Sequence, residues 1–342
     1  MYFKGAFSKF AGVASMAIVI TSCASIPSGI PIIGAAEPIT NSISGREGID
    51  GPVLAVKVDD TRAAHPQAGL EDADLVYIEQ VEGGLTRLAA IFSSKIPSRV
   101  GPVRSARISD IDILAQYGHV AFAYSGAQKK MLPVISAANL QDMGAQRQSP
   151  TIYTTDPNRN SPVAMILRAD LLMRKLADDG ATVDIAKKIG WGFSKNFDQG
   201  TEISKAKISW PASSYTAEWS DAQSRWLLSI GDVADVSESG VRLGPTTLVI
   251  QIVRISPSIY GDKFGGVTPL SETVGQGTGF ILRDGKYIAA NWLRPTSLDG
   301  TTWTDSLGKE IPFAPGQIWV ALTDKQPTFT PVLPDATSSA SK

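Results

Sequence analysis

The feature that most constrains this chain is Cys23, the only cysteine in 342 residues, which closes a short apolar run. Two lysines and the mostly apolar stretch 10–20 precede it, which is typical of a cleaved bacterial signal peptide. A membrane-spanning helix needs about 20 apolar residues, roughly twice this length. The ending Ile20-Thr21-Ser22-Cys23 resembles the signal at which the thiol receives diacylglycerol. We predict a lipoprotein signal peptide at 1–22 and a bilayer anchor at acylated Cys23, with an ordinary secretory leader as the alternative.

Charge and composition exclude several classes of function. The chain has 32 basic and 33 acidic residues, and the leader contains two of the lysines and no acid, so the mature net charge is −3. Such a chain has no general attraction for nucleic acid. If Cys23 is lipidated, the body has neither a disulfide nor a reactive thiol. Because only His65 and His119 supply imidazole, we expect no metal site and no cofactor.

The pattern of the chain changes near residue 200. Strands alternate with helices over residues 51–200, whereas short strands and turns follow over 201–325. We therefore predict an α+β protein, with a mixed α/β domain built on a central hairpin and then a smaller β-rich domain. Residues 23–50 are predicted to be the lipidated cysteine and a flexible tether, and 326–342 a disordered tail. The cleft between the two domains is the expected ligand site.

Helix signals are clearest after Asn160. Ser161 is predicted to cap a helix that has Pro162 in its first turn and an apolar face made by every third or fourth residue. Gly180 is predicted to end it.

A hairpin in the first domain brings charged residues together. Strands over residues 75–82 and 86–92 are separated by Gly83-Gly84, which favours a two-residue turn. Such a turn places Gln80 opposite Arg87, with Glu82 and Arg87 as a diagonal pair on one face. Glu79 then lies on the other face, where a carboxylate is either exposed or needs a cation. A structural ion pair and a catalytic acid are the two interpretations of Glu79.

Arginines follow the hairpin in the segment Gly101-Pro102-Val103-Arg104-Ser105-Ala106-Arg107. They precede a helix predicted to begin near Ser109. Guanidinium groups beside a helix N-terminus can bind carboxylate or phosphate groups. They can equally neutralise Glu79, Glu82 or Asp112 within the protein, and the sequence leaves both interpretations open.

Several segments resemble a known family in their order along the chain. His65-Pro66-Gln67-Ala68-Gly69-Leu70, Ala73-Asp74-Leu75-Val76-Tyr77, the hairpin and the arginine segment are similar to the first domain of the YerB-like bacterial lipoproteins. Asn291-Trp292-Leu293-Arg294 and Pro315-Gly316-Gln317-Ile318-Trp319-Val320 are similar to the second domain. The resemblance implies a membrane-anchored, extracytoplasmic, two-domain protein and covers nearly the whole mature chain, but it implies no reaction.

Two positions depart from this resemblance. Tyr124 and Thr151 stand where the family pattern suggests histidines, so histidine-dependent chemistry is not expected of this chain. The main candidates for binding or catalysis are Glu79, Glu82, Arg87, Arg104, Ser105 and Arg107. The secondary candidates are His65, Gln67, Asp74, Tyr124 and Tyr153.

Three functions fit these residues. The first is non-catalytic binding of an anionic or glycan component of the cell envelope, or of a partner protein, by the glutamate and arginine cluster. The second is cleavage of a cell-wall polymer by a carbohydrate-active enzyme that uses Glu79 or Glu82 as its acid. The third is structural docking to another envelope protein through the β-rich domain.

Overall fold

The computed structural model of the chain describes Met1, residues 38–261 and residues 265–332. The predicted signal peptide, Cys23 and most of the predicted tail lie outside the described residues. The described residues from Pro38 onward form one compact unit. Within the described ranges, no helix is both long enough and apolar enough to cross a bilayer.

Strands make up most of the regular structure, so the α+β prediction is compatible with the fold only in coarse terms. The strands of the described residues are β1 (Leu54–Asp59), β2 (Leu75–Gln80), β3 (Thr86–Phe92), β4 (Val120–Ala123), β5 (Leu140–Asp142), β6 (Tyr153–Thr155), β7 (Met165–Leu167), β8 (Thr201–Ser209), β9 (Ser214–Ser220), β10 (Arg225–Ile230), β11 (Val233–Ala234), β12 (Thr247–Ile252), β13 (Ile255–Gly261), β14 (Val267–Ser271), β15 (Gly275–Arg283), β16 (Lys286–Arg294), β17 (Thr302–Thr304), β18 (Ile318–Thr323) and β19 (Thr328–Pro331). The helices are α1 (Ser109–Ala115), α2 (Leu132–Ala137) and α3 (Ala169–Asp178), and short 3-10 turns cover Arg62–Ala64, Leu70–Asp72, Glu82–Gly84 and Ala145–Arg147.

One sheet of 15 strands runs through both parts of the chain, in the order β11-β10-β9-β8-β16-β15-β12-β18-β2-β3-β1-β4-β5, with β17 on β16 and β19 on β8. Strand β18 joins the two parts, because it lies parallel to and between β12 and β2. All six of its residues are buried, as expected for a parallel strand covered on both faces. The two predicted regions therefore share one sheet.

The central strands have an apolar cluster on each face. In β2, Val76 and Ile78 belong to one cluster, whereas Leu75 and Tyr77 belong to the other. Alternation of side chains along a strand produces this division. Lys57 in β1 and Glu79 in β2 are charged residues within these buried strands, and both are fully buried.

The hairpin between β2 and β3 differs from the prediction by one residue. The connection is a three-residue 3-10 turn over Glu82–Gly84, in which Gly83 and Gly84 have φ of 69° and 73°. The strands pair Glu79 with Arg87 and Gln80 with Thr86. A shift of one residue moves a side chain to the opposite face. The predicted separation of Glu79 from Arg87 is therefore wrong, since the two lie on the same face.

The predicted helix from Ser161 is also wrong over its first part. Residues 165–167 form β7, and only Ala169–Asp178 is helical. Val103 N donates to the carbonyl of Met165 at 2.7 Å, and Val100 exchanges backbone hydrogen bonds with Leu167. These contacts with a distant segment occupy backbone groups that a helix would need.

Both predicted flexible segments contain ordered parts. Asn41 and Ile43 of the predicted tether are buried, and the Asn41 side chain donates to Ser93 Oγ at 3.2 Å. In the predicted tail, β19 pairs with β8. The folded body therefore begins before residue 51 and continues past residue 326.

Candidate functional site

The candidate site lies at the edge of the sheet where β1 and β2 end and β3 begins. Arg87 in β3 is the register partner of Asp59 in β1 and of Glu79 in β2. The arginine segment runs beside this edge, because Arg104 N donates to the Lys57 carbonyl and Asp59 N donates to the Pro102 carbonyl, both at 2.8 Å. The sheet thus brings together the hairpin and the arginine segment.

Two of the three arginines at this edge are paired with carboxylates. Arg104 Nε donates to Asp59 Oδ2 at 2.6 Å. Arg107 donates to Glu82 Oε2 from Nε at 2.9 Å and from Nη2 at 2.7 Å, and the Thr268 hydroxyl donates to Oε1. Burial alone would raise the pKa of Glu82, but these bonds and the Arg107 charge lower it.

Arg87 has no such partner. It is buried, with 9% of its surface exposed, and its Nη1 donates to the Ser105 carbonyl at 3.1 Å. Within the described residues, no carboxylate oxygen lies within 4.0 Å of its guanidinium nitrogens. Burial, followed by repulsion from Arg107 and Arg104, lowers the pKa of Arg87 to about 10. The charges of Glu82 and Asp59 oppose this lowering, but neither carboxylate contacts the guanidinium directly. A buried cation without a direct ionic partner is costly, so this position favours an incoming anion.

A cavity of about 560 Å³, which we call the arginine cavity, opens at these residues. Its charged and polar lining includes Glu82, Arg87, Arg104, Ser105, Arg107 and Lys129. Residues from the C-terminal part also line it, since Tyr260 and Thr268 belong to the β13–β14 hairpin. Five of the six main candidates therefore line one cavity between the two parts of the chain.

The sixth, Glu79, lies behind the cavity in a buried triad. Lys57 Nζ contacts Glu79 and lies 2.7 Å from Asp110 Oδ1, and none of the three side chains is exposed. Asp110 Oδ2 accepts the backbone N–H of Arg107 at 2.7 Å, which ties the triad to the arginine segment. Burial and then the Asp110 charge raise the pKa of Glu79 to about 7, against the opposing charge of Lys57.

A second cluster surrounds His65. Its Nδ1 lies 3.3 Å from Asp235 Oδ1 and its Nε2 3.5 Å from Asp60 Oδ1. Asp60 Oδ1 also accepts the Tyr215 hydroxyl at 2.6 Å, and Gln67 Nε2 donates to the Asp59 carbonyl at 3.2 Å. Burial alone would lower the pKa of His65, but hydrogen bonds and charges of Asp235 and Asp60 raise it to about 10. His65 and Gln67 therefore belong to a buried polar network beside the main site.

The remaining secondary candidates lie elsewhere. Asp74 accepts hydrogen bonds from the backbone N–H of Ser93 and Ser94, both at 2.8 Å, and so supports a loop. Tyr124 donates to Asp142 Oδ1 at 2.8 Å, and Tyr153 donates to the Met143 carbonyl at 2.6 Å. All three are thus held by structural hydrogen bonds, and none lines the arginine cavity.

Sequence reasoning missed several charged members of the site, namely Lys57, Asp59, Asp60, Asp110 and Asp235. A usable signal exists for the first three, because a lysine inside an apolar strand followed by two aspartates is unusual for a buried strand. Asp235 directly follows β11, far along the chain from the hairpin, and carries no local signal. In the described part of the chain, no group of three or more histidine, cysteine, aspartate and glutamate residues could hold a metal ion.

Two profiles of one known protein family match the two parts of the chain. The profile for "Protein of unknown function (DUF3048) N-terminal domain" matches residues 40–182, and the corresponding C-terminal domain profile matches residues 206–320. The chain belongs to the DUF3048 family. The predicted boundary near residue 200 falls between the two DUF3048 matches, and the resemblance to the YerB-like family is confirmed.

Individual relatives support this assignment to DUF3048. "Putative lipoprotein YerB" of Bacillus subtilis (strain 168) is 43% identical over 70 residues, which cover 20% of this chain and 21% of that protein. The matched region therefore spans about a fifth of the relative's length. The crystal structure of YerB protein from Bacillus subtilis has a TM-score of 0.72 at 20% identity, covering 85% of this chain and 99% of that one. This likeness shows a shared fold.

Proposed function

We propose that this chain is a lipid-anchored protein of the cell envelope that binds an anionic ligand in the arginine cavity. The observation that carries the proposal is Arg87, a buried guanidinium that lines a cavity and whose one side-chain hydrogen bond among the described residues goes to a backbone carbonyl. An anionic group of the ligand supplies the missing counter-charge. Phosphate and carboxylate groups match the planar fork of an arginine.

The charge balance of the cavity supports an anion. Four cationic side chains line it, namely those of Arg87, Arg104, Arg107 and Lys129. Asp59 and Glu82 neutralise two of them, whereas Arg87 and the exposed Lys129 have no carboxylate within 4.0 Å in the described ranges. Two cationic side chains of the lining therefore lack a direct ionic partner, which suits a group such as phosphate, since phosphate carries up to two negative charges near pH 7.

Two observations favour binding over cleavage of a wall polymer. A glycosidase acid needs a raised pKa and contact with the substrate. Glu82 lines the cavity, but Arg107 and Thr268 hold its pKa below the ordinary value. Glu79 has the raised pKa, but it is fully buried against Lys57 and does not line the cavity. Neither glutamate combines the two properties.

The anchor is part of the proposal and has its own test. A relative named as a lipoprotein and the cysteine at the end of the apolar run both favour acylation of Cys23. Cys23→Ser removes the thiol that receives the lipid, so we expect the variant to lose metabolic labelling with a palmitate analogue. Retained labelling of the serine variant would contradict the anchor, and Ser22→Ala serves as the neighbouring control, which should still be labelled.

Removal of the unpaired cation tests the binding site. We expect Arg87→Gln to weaken binding of inorganic phosphate about tenfold or more, because the lost hydrogen bonds are charge-assisted. Calorimetric titration of the full chain in detergent, at low ionic strength, measures this affinity. Arg174→Gln is the matched control, since Arg174 pairs with Asp170 on the surface of α3. The phosphate affinity of this variant should equal that of the unchanged protein.

Incubation with purified peptidoglycan distinguishes the three functions. Sedimentation with peptidoglycan that weakens in Arg87→Gln supports binding of an envelope component. Release of soluble fragments by the unchanged protein, lost in Glu82→Gln, would replace the proposal with catalysis. Equal phosphate affinity in Arg87→Gln and the unchanged protein, with no sedimentation, would leave docking to another protein as the better explanation.

A further inference from the structure

A larger cavity adjoins the arginine cavity. It measures about 1190 Å³ and contains Asp60, His65 and Asp235, and we call it the aspartate cavity. Thr61 and Leu85 line both cavities, so the two are neighbours across these residues. Its far wall comes from β10, β11 and the residues around Trp210, in the C-terminal part of the chain. A ligand bound at Arg87 can therefore extend past Leu85 into a second space.

Asp235 is the group in this cavity that requires explanation. It is 2% exposed, and its Oδ2 has no hydrogen-bond partner within the described residues. Asp60 differs, since its two carboxylate oxygens accept the hydroxyls of Tyr215 and Thr86. A buried acceptor without a donor costs about 1–3 kcal/mol. Because Asp235 lines the cavity, a ligand O–H or N–H group can supply the missing donor.

The charges of the aspartate cavity favour a neutral donor over a cation. Three acidic side chains line it and three basic side chains balance them; these are Asp60, Asp232 and Asp235, and Arg62, His65 and Lys207. Asp60 and Asp235 together keep His65 protonated near neutral pH. A ligand ammonium group would therefore gain little electrostatic stabilisation from the cavity as a whole. A ligand hydroxyl can donate a hydrogen bond to Asp235 without adding charge.

Apolar side chains complete the walls. Leu85 is 40% exposed and Val233 63% exposed, and Pro211 and Ile230 also line the cavity. Exposed apolar side chains at the mouth of a pocket indicate a contact surface. A sugar ring presents hydroxyl donors at its edge and C–H groups on its face, so it matches both the carboxylate and these walls.

We infer that the ligand is an anionic saccharide chain, with its charged group at Arg87 and its sugar rings extending past Thr61 and Leu85 to Asp235. This inference rests on the proposed function, because it assumes that the arginine cavity binds the anion. The saccharide is defined by its chemistry, an anionic group joined to hydroxyl-bearing rings.

Phosphorylated gluco-oligosaccharides of increasing length test the inference. We expect the chain of several rings to bind the full-length protein about tenfold or more tightly than inorganic phosphate, which one or two added hydrogen bonds would produce. In Asp235→Asn, the ratio of oligosaccharide to phosphate affinity should fall towards one. Asp179→Asn is the matched control, since Asp179 pairs with Lys175 on the protein surface and lines neither cavity, and this variant should retain the full ratio.

The possible failures are distinguishable. If phosphate itself does not bind, the proposed function fails and the inference fails with it. If phosphate binds but no oligosaccharide of any length binds more tightly, the inference alone is wrong. Should Asp235→Asn not fold, Leu85→Ser changes an exposed wall residue instead, and an unchanged affinity ratio in that variant would count against the saccharide path.

Discussion

Replacement of Lys57 by methionine is expected to lower the free energy of unfolding by about 3–5 kcal/mol. Lys57 Nζ contacts Glu79 and Asp110 in a site where none of the three side chains is exposed. Without the ammonium group, two buried carboxylates remain with no cation in direct contact, which favours uptake of a proton by one of them. Urea unfolding of the full chain in detergent at pH 7.5, followed by tryptophan fluorescence, measures the loss.

The companion variants separate charge from packing. Lys205 lies on the surface and pairs with Glu218, so Lys205→Met should cost less than about 1 kcal/mol. Adding Glu79→Gln to Lys57→Met removes one of the two stranded carboxylates, and the double variant should recover part of the lost stability. A loss in Lys57→Met no larger than that in Lys205→Met would show that the triad contributes little.

The hairpin and the arginine segment illustrate what local sequence pattern can predict. The apolar runs of β2 and β3, with glycines between them, define the hairpin, and Gly101-Pro102 places the arginines directly after it. These are local signals, and the predicted strands over 75–82 and 86–92 match the observed bounds closely. The clustering of Glu82, Arg87, Arg104, Ser105 and Arg107 also requires the long-range contacts between the arginine segment and β1.

The register of the hairpin was beyond local reasoning, because two glycines fit a two-residue turn and a three-residue turn equally well. Gly84 explains the choice in part. A Cβ atom at this position would lie 2.5 Å from Pro211 Cβ, so the turn is packed against the C-terminal part of the chain. A contact between residues more than 100 positions apart leaves no trace in the pattern around the turn.

The joining of the two parts depends on similar long-range contacts. Strand β18 pairs with β2 and β12, and its apolar sequence predicts a buried strand but not its neighbours. The aspartate cavity depends on the same assembly, since Asp60 and Asp235 approach His65 from opposite parts of the chain. Local sequence pattern predicts individual strands and helices. Prediction of a site that is built across several strands requires the complete strand order of the sheet.

Stability of the folded chain is expected to fall as the pH rises from about 6.5 towards 10, through the titration of His65. Asp235 and Asp60 raise the pKa of His65 to about 10 although burial opposes them. In the unfolded chain an ordinary histidine loses its proton near pH 6.5. The native state therefore binds more protons across this interval, and stability decreases with pH. The contribution is fully present below pH 6.5 and is lost as the pH passes through about 10.

The size of this effect follows from the shift in pKa. Each pKa unit corresponds to about 1.4 kcal/mol, which gives about 3–4 kcal/mol over the interval after a discount for the partial exposure of the ring. Other groups titrate near pH 10, so the measurement is the difference in unfolding free energy between the unchanged protein and His65→Gln at each pH. That difference should shrink by about 3 kcal/mol from pH 6 to pH 10.

The control is His119→Gln, since Nδ1 of His119 lies 2.9 Å from the amide oxygen of Asn139 rather than from a carboxylate. A constant difference for His65→Gln across the interval would show that Asp60 and Asp235 do not hold His65 as a cation.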